Sequence, residues 1–149
     1  MIIKSLPKDE LIKQGVDSSF ADVLSNPNEY DEYLHITIGK SDWDYVIPIG
    51  VSSVIPLWDV NADSFVRWER NGIIEFVWLF HDSPNYSLIA YSEQGIIAKL
   101  YQSLTEYMEE DECRKIGSAM GFKYIDEAES ILENEWDSYA SWMLNLEKA

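Results

Sequence analysis

One cysteine, Cys113, and two histidines, His35 and His81, are the only thiol and imidazole side chains in this chain. A single thiol closes no internal disulfide, so Cys113 reads as a small apolar residue suited to a reducing compartment. Neither histidine has an i,i+4 partner or the carboxylate spacing of a metal site. Both read as satisfied, partly buried side chains, and neither a metal nor any other cofactor is expected. Apolar runs are short. None approaches the roughly 18 residues of a membrane span, and the opening "MIIKSLPKDE" turns polar too early for a signal peptide, which makes a cytoplasmic location the expectation. Repeats and Pro-, Gly- or Ser-rich linkers are missing as well. The 149 residues are therefore expected to form one domain, 1–149, long enough to bury a core without metal or disulfide support.

Basic residues are also scarce: 11 Lys and Arg stand against 27 Asp and Glu, for a formal charge of −16. Such a field repels nucleic acid and anionic membrane while attracting cationic proteins and speeding their encounter. The imbalance is steepest at the end, where residues 106–149 hold 12 acids and 4 bases. Solubility alone is the plain alternative reading.

What remains is a well-patterned chain, 46% hydrophobic and 26% charged, too apolar for disorder. Leu6, Leu11, Ile12, Val16, Phe20, Val23 and Leu24 support one or two short helices interrupted near Gly15, and "NPNEYDEY" reads as a turn. "YLHITIG" alternates Leu34, Ile36 and Ile38 with polar neighbours and predicts a strand. "DYVIPIG" and "SVIPLWDV" predict two more, with Pro48 and Pro56 pointing to edges or bulges. Asn71-Gly72 between β-branched and aromatic runs predicts a type I′ hairpin. Its second arm, Ile73 to Phe80, is apolar enough to be central, and "NYSLIAYS" is placed beside it. After Ser92, a natural N-cap, Ile96, Ile97, Leu100, Tyr101, Leu104, Tyr107 and Met108 fall on one helical stripe. A short helix over Asp111–Met120 should stop at Gly121. A last helix should follow a capping box of Asp126 and Glu129, with Ala128, Ile131, Leu132, Trp136, Tyr139, Ala140 and Met143 inward and Trp142 off the stripe. The expected fold is α+β: an antiparallel meander sheet of five or six strands flanked by N-terminal and C-terminal helices.

Catalytic patterns are weak. "HDS" at 81–83 holds the letters of a triad, but adjacent residues cannot converge, so a turn is expected. "GKS" at 39–41 lacks the first glycine of a phosphate loop, whose place is taken by Leu34. "DVNADSF" begins like a calcium loop with Asp59, Asn61 and Asp63. Ser64 and Arg70 then stand where glycine and glutamate are needed, and a connecting turn explains it better. The acidic run "EEDE" offers carboxylates without histidine or a rigid loop, a poor site for anything except a loosely held hard cation, and one exposed helix end does not supply the facing pair of paired-carboxylate hydrolysis. At a helix C-terminus these acids would oppose the macrodipole; at the start of the next helix they would favour it. No enzyme activity is expected.

Ile47-Pro48, Trp58-Asp59 and Ser92-Glu93, spread over about residues 45–107, carry a resemblance to the SUKH superfamily, which includes cell-wall-synthesis regulators and many bacterial immunity proteins. The resemblance implies an α+β protein that binds and neutralises a cognate toxin, often a nuclease, and has no catalysis of its own. The charge agrees, since a surface built to hold phosphates is cationic and an acidic inhibitor can occupy it. The expected partner-binding residues are Glu106, Glu109, Glu110, Asp111, Glu112, Glu133, Glu135 and Asp137. Two rivals stand beside this: a regulatory interaction scaffold, and a hydrolase with an unrecognised site.

Overall fold

Asn71 and Gly72 sit at φ +53° and +82°, the two positive angles that a type I′ turn requires. They join a strand at Asp63–Arg70 to one at Ile73–Leu79, in a register that runs without slip from Arg70↔Ile73 to Ser64↔Leu79. The computed structural model describes residues 1–39 and 42–148. In chain order its strands are β1 (Ile2–Ile3), β2 (Trp43–Asp44), β3 (Val51–Val60), β4 (Asp63–Arg70), β5 (Ile73–Leu79) and β6 (Tyr86–Ala90). β3-β4-β5-β6 form one antiparallel meander, and β1 pairs with β2 apart from it.

The meander therefore has four strands, not five or six. Leu34–Ile36 forms a 3-10 turn instead of a strand. Leu34 and Ile38 are buried while Ile36 is 61% exposed, so the spacing in use is i,i+4 and not the alternation of a strand. Of "DYVIPIG" only Asp44 lies in a strand. "GKS" runs into Lys40 and Ser41, which lie outside the described residues. Pro56 falls on edge strand β3 beside a register shift between Pro56 and Trp58, where a ring without an N–H does least harm.

Alternation along β4 and β5 sends side chains to two sides of the sheet. Phe65 and Phe76 join the larger core with the helices, while Val66, Trp68, Val77 and Leu79 pack with Ile3 and Tyr45 on the other face. Glu75 is buried in that second side. It accepts from Trp68 Nε1 at 3.0 Å and from Arg70 Nε and Nη2 at 3.0 and 3.1 Å. The buried carboxylate is thus paired, which removes most of the cost of its desolvation.

The helices are α1 (Lys8–Lys13), α2 (Ser18–Ser25), α3 (Glu93–Thr105), α4 (Glu110–Ala119), α5 (Ile125–Asn134) and α6 (Tyr139–Asn145). Ser92 caps α3, its Oγ accepting from the Gly95 N–H at 3.0 Å. Ile96, Ile97, Leu100, Tyr101 and Leu104 are wholly buried, and at about 1.5–3 kcal/mol of gross transfer free energy each they hold α3 in the core. Gly121, at φ +77°, ends α4 as expected. The last helix is broken into α5 and α6 by a 3-10 turn at Trp136–Ser138, and Trp136 is 63% exposed instead of buried. Asp126 and Glu129 form no capping box: Tyr124 occupies the cap without a side-chain bond, and both carboxylates are drawn to Arg114. Among the described residues no helix is long and apolar enough to cross a membrane.

Candidate functional site: an acid-rimmed furrow

α3 stops at Thr105, and the chain turns through Glu106, Tyr107 and Met108, whose last two N–H groups close onto the Leu104 carbonyl at 3.1 and 2.9 Å. Glu109 is extended and opens α4, so Glu110, Asp111 and Glu112 occupy its first turn. The acidic run therefore meets the positive end of a helix dipole. Tyr107, which the α3 stripe predicted as core, lies past the end of the helix and is 69% exposed.

Arg114 fixes this turn to the next helix. Its Nη2 lies 2.7 Å from both Asp126 Oδ1 and Glu129 Oε2, and its Nε is 3.6 Å from Glu110 Oε1. The second oxygen of Glu129 accepts from the Tyr101 hydroxyl at 2.8 Å. Hydrogen bonds from Arg114 to Asp126 and Glu129 hold the guanidinium well above even its ordinary pKa. Burial, reinforced by the bond to Glu129, pushes the Tyr101 hydroxyl up. Burial likewise pushes the Cys113 thiol up to about 11, which leaves it protonated and poorly reactive at neutral pH.

Three hollows adjoin around Tyr107 and Met108. The first, about 320 Å³, has Tyr101, Met108 and Leu132 in its wall and Glu110, Glu129 and Glu133 around them. The second, about 340 Å³, is floored by Tyr33, Ile36 and Tyr107 and edged by Asp31, Glu109 and Glu112. The third, about 240 Å³, runs over Phe65 and Trp78 between Glu106 and Lys99. Met108 is common to the first two hollows, and Ile36 and Tyr107 to the last two, so they form one furrow. Seven carboxylates and a single ammonium group line it. Tyr33, Ile36 and Tyr107, each at least 61% exposed, form an apolar patch within a polar rim, the pattern of a protein-binding surface.

Of the eight carboxylates expected to bind a partner, Glu106, Glu109, Glu110, Glu112 and Glu133 line this furrow. Asp111 is exposed on the first turn of α4 without lining it. Glu135 and Asp137 are exposed at the break between α5 and α6 and line none of the three hollows. Asp31, Tyr33 and Ile36 escaped the sequence reading; two tyrosines set among acids in "NEYDEY" were the one local sign.

The other motifs resolve into turns. "DVNADSF" is the β3–β4 hairpin, with Asn61 and Ala62 at φ +51° and +71°. His35 Nδ1 lies 3.2 Å from Asn28 Oδ1 and 3.1 Å from the Glu32 carbonyl. His81 is less isolated than its sequence context implied: its Nδ1 lies 2.7 Å from Asp63 Oδ1, which also accepts the His81 N–H at 3.0 Å. Asp82 brings a third donor, and the three ligand atoms lie within 4.8 Å of one another. With its Nδ1 and N–H both serving Asp63, His81 acts as a clasp across the open end of the β4–β5 hairpin. No family model, curated protein or solved structure matches the chain.

Proposed function

We propose that this domain is an immunity-type binding protein, which captures a cognate basic toxin of the nuclease kind and performs no chemistry itself. One observation carries the reading: seven carboxylates and one ammonium group line a furrow with an exposed Tyr33–Ile36–Tyr107 floor. A protein that holds phosphates needs a cationic surface. An acidic rim accelerates encounter with such a surface and rejects neutral or anionic competitors, while the apolar floor supplies contacts that, once dry, slow dissociation. The SUKH-like motifs at Ile47-Pro48, Trp58-Asp59 and Ser92-Glu93 support the same class.

The test takes the protein encoded by the neighbouring gene as the candidate partner; if it is not toxic when expressed alone, the reading fails at that step. Co-expression should restore growth. Reversal of Glu106, Glu109, Glu110 and Glu133 to lysine should slow association at least 10-fold at low salt while leaving the domain folded, with only the modest loss of stability that follows from removing the Glu110–Arg114 pair and the favourable dipole contacts. Unchanged inhibition and on-rate in that variant would overturn the proposal. Binding that is indifferent to salt would favour the scaffold reading.

A further inference from the structure

The furrow is not uniform along its length. At one end Glu110 and Glu133 stand on α4 and α5 with their side chains in water. In the middle, Tyr33, Ile36 and Tyr107 expose a patch large enough to receive a bulky side chain. At the far end Lys99 is half-buried beside Trp78, its Nζ 5.6 Å from the ring centroid. Its Nζ donates to Gln102 Oε1 at 3.2 Å, and among the described residues no carboxylate comes within ion-pair distance of it. Burial depresses its pKa, and the more distant Glu106 only partly counters this. A partly desolvated ammonium group without an ion-pair partner gains most from an incoming anion.

Resting on the capture reading, we infer that the furrow receives one continuous segment of the partner in a fixed orientation. Lysine or arginine side chains lie over Glu110 and Glu133, a large apolar side chain sits among Tyr33, Ile36 and Tyr107, and a carboxylate meets Lys99. Charge complementarity sets the occupant and its direction. The reverse placement sets cations against Lys99 and an anion against the glutamates, and like-charge contacts of this kind are what reject wrong partners. The two tyrosines suit the anchor position, because each offers a large amphipathic surface at the cost of only two side-chain torsions.

The probes are two fluorescein-labelled peptides with a central tryptophan, followed by fluorescence anisotropy. One carries three basic residues on one side of the tryptophan and two acidic residues on the other; the second is basic on both sides. Net charge alone favours the second. The inference expects the bipolar peptide to bind at least 5-fold more tightly, Lys99→Glu to reverse that order, and tryptophan to serine in the peptide to weaken binding at least 10-fold. Ile36→Asp and Tyr107→Ser, both at exposed positions, should give the same loss with an unchanged circular dichroism spectrum. Affinity that tracks net charge and ignores these changes overturns the inference, as does no binding of either peptide at about 1 mM. Those outcomes leave the capture reading to its own test against the toxin, where failure of the carboxylate reversals is a separate result.

Discussion

Arg114 of α4 and Glu129 of α5 meet at 2.7 Å, and the second oxygen of that carboxylate takes the Tyr101 hydroxyl of α3. One side chain thus holds three helices in register beneath the acidic rim. A furrow crowded with like charges needs such a tie, because its carboxylates push apart when no partner neutralises them.

Removing this carboxylate should therefore loosen the site. Glu129→Ala leaves the buried Tyr101 hydroxyl without its acceptor and is expected to cost roughly 1–3 kcal/mol. Glu129→Gln keeps an acceptor for Tyr101 and should lose less. Urea denaturation of the two variants checks the order; equal losses would show that the tyrosine bond is immaterial.

Ala62 holds φ +71° in the β3–β4 hairpin, a region that a Cβ makes costly. Ala62→Gly is expected to stabilise the domain by about 0.5–1 kcal/mol after the extra chain entropy of glycine is counted. Ala98→Gly, in the buried interior of α3, should destabilise by at least about 1 kcal/mol. Thermal melts of this pair isolate the backbone effect.

Gly95 of α3 packs directly against β6 and α6. A Cβ there would lie 2.6 Å from Ala90 Cβ and 2.7 Å from the Met143 carbonyl oxygen. Gly95→Ala should cost about 1–3 kcal/mol through overpacking, reversing the sign normally expected of this change inside a helix. Calorimetry showing a stabilised variant would mean that α6 shifts freely.

Cys113 sets an alkaline limit. Its folded pKa of about 11 lies above the roughly 8.5 of an unfolded cysteine, so between these values the native state binds more protons than the unfolded chain. The stabilisation is complete below about pH 8.5 and is lost as pH rises towards the folded value. Thiol alkylation at pH 8 should follow global unfolding, and Cys113→Ala should flatten the stability profile between pH 9 and 11. Rapid alkylation of the native protein at pH 8 contradicts this placement.

Features governed by neighbours in sequence were legible. Asn71-Gly72, the Ser92 cap and the Gly121 stop each act through one or two residues, and each appears where its chemistry puts it. The errors arose where one pattern serves two geometries. Leu34, Ile36 and Ile38 alternate like a strand, yet Leu34 and Ile38 also stand i,i+4 apart, and the core uses that pair. Asp126 and Glu129 have the spacing of a capping box, but Arg114 offers them charged bonds at 2.7 Å that a local cap does not match. Tyr107 continued the α3 periodicity past the last helical residue. The furrow itself could not be read locally, because Tyr33, Tyr107 and Glu133 belong to separate segments that only the packed fold unites.

The sheet has a second packed side, built from Ile3, Tyr45, Val66, Trp68, Val77 and Leu79, far smaller than the helical one. Ile3 of β1 and Tyr45, just past β2, cover it, joined by the two-residue pairing of those strands, a unit small enough to be expected to open without the whole molecule unfolding. In deuterium labelling, the amides of that flap should exchange well before those of α3. Occupancy of the opposite side is expected to leave the flap's exchange unaltered, so each labelling run would carry an internal reference against which protection by a bound ligand is read.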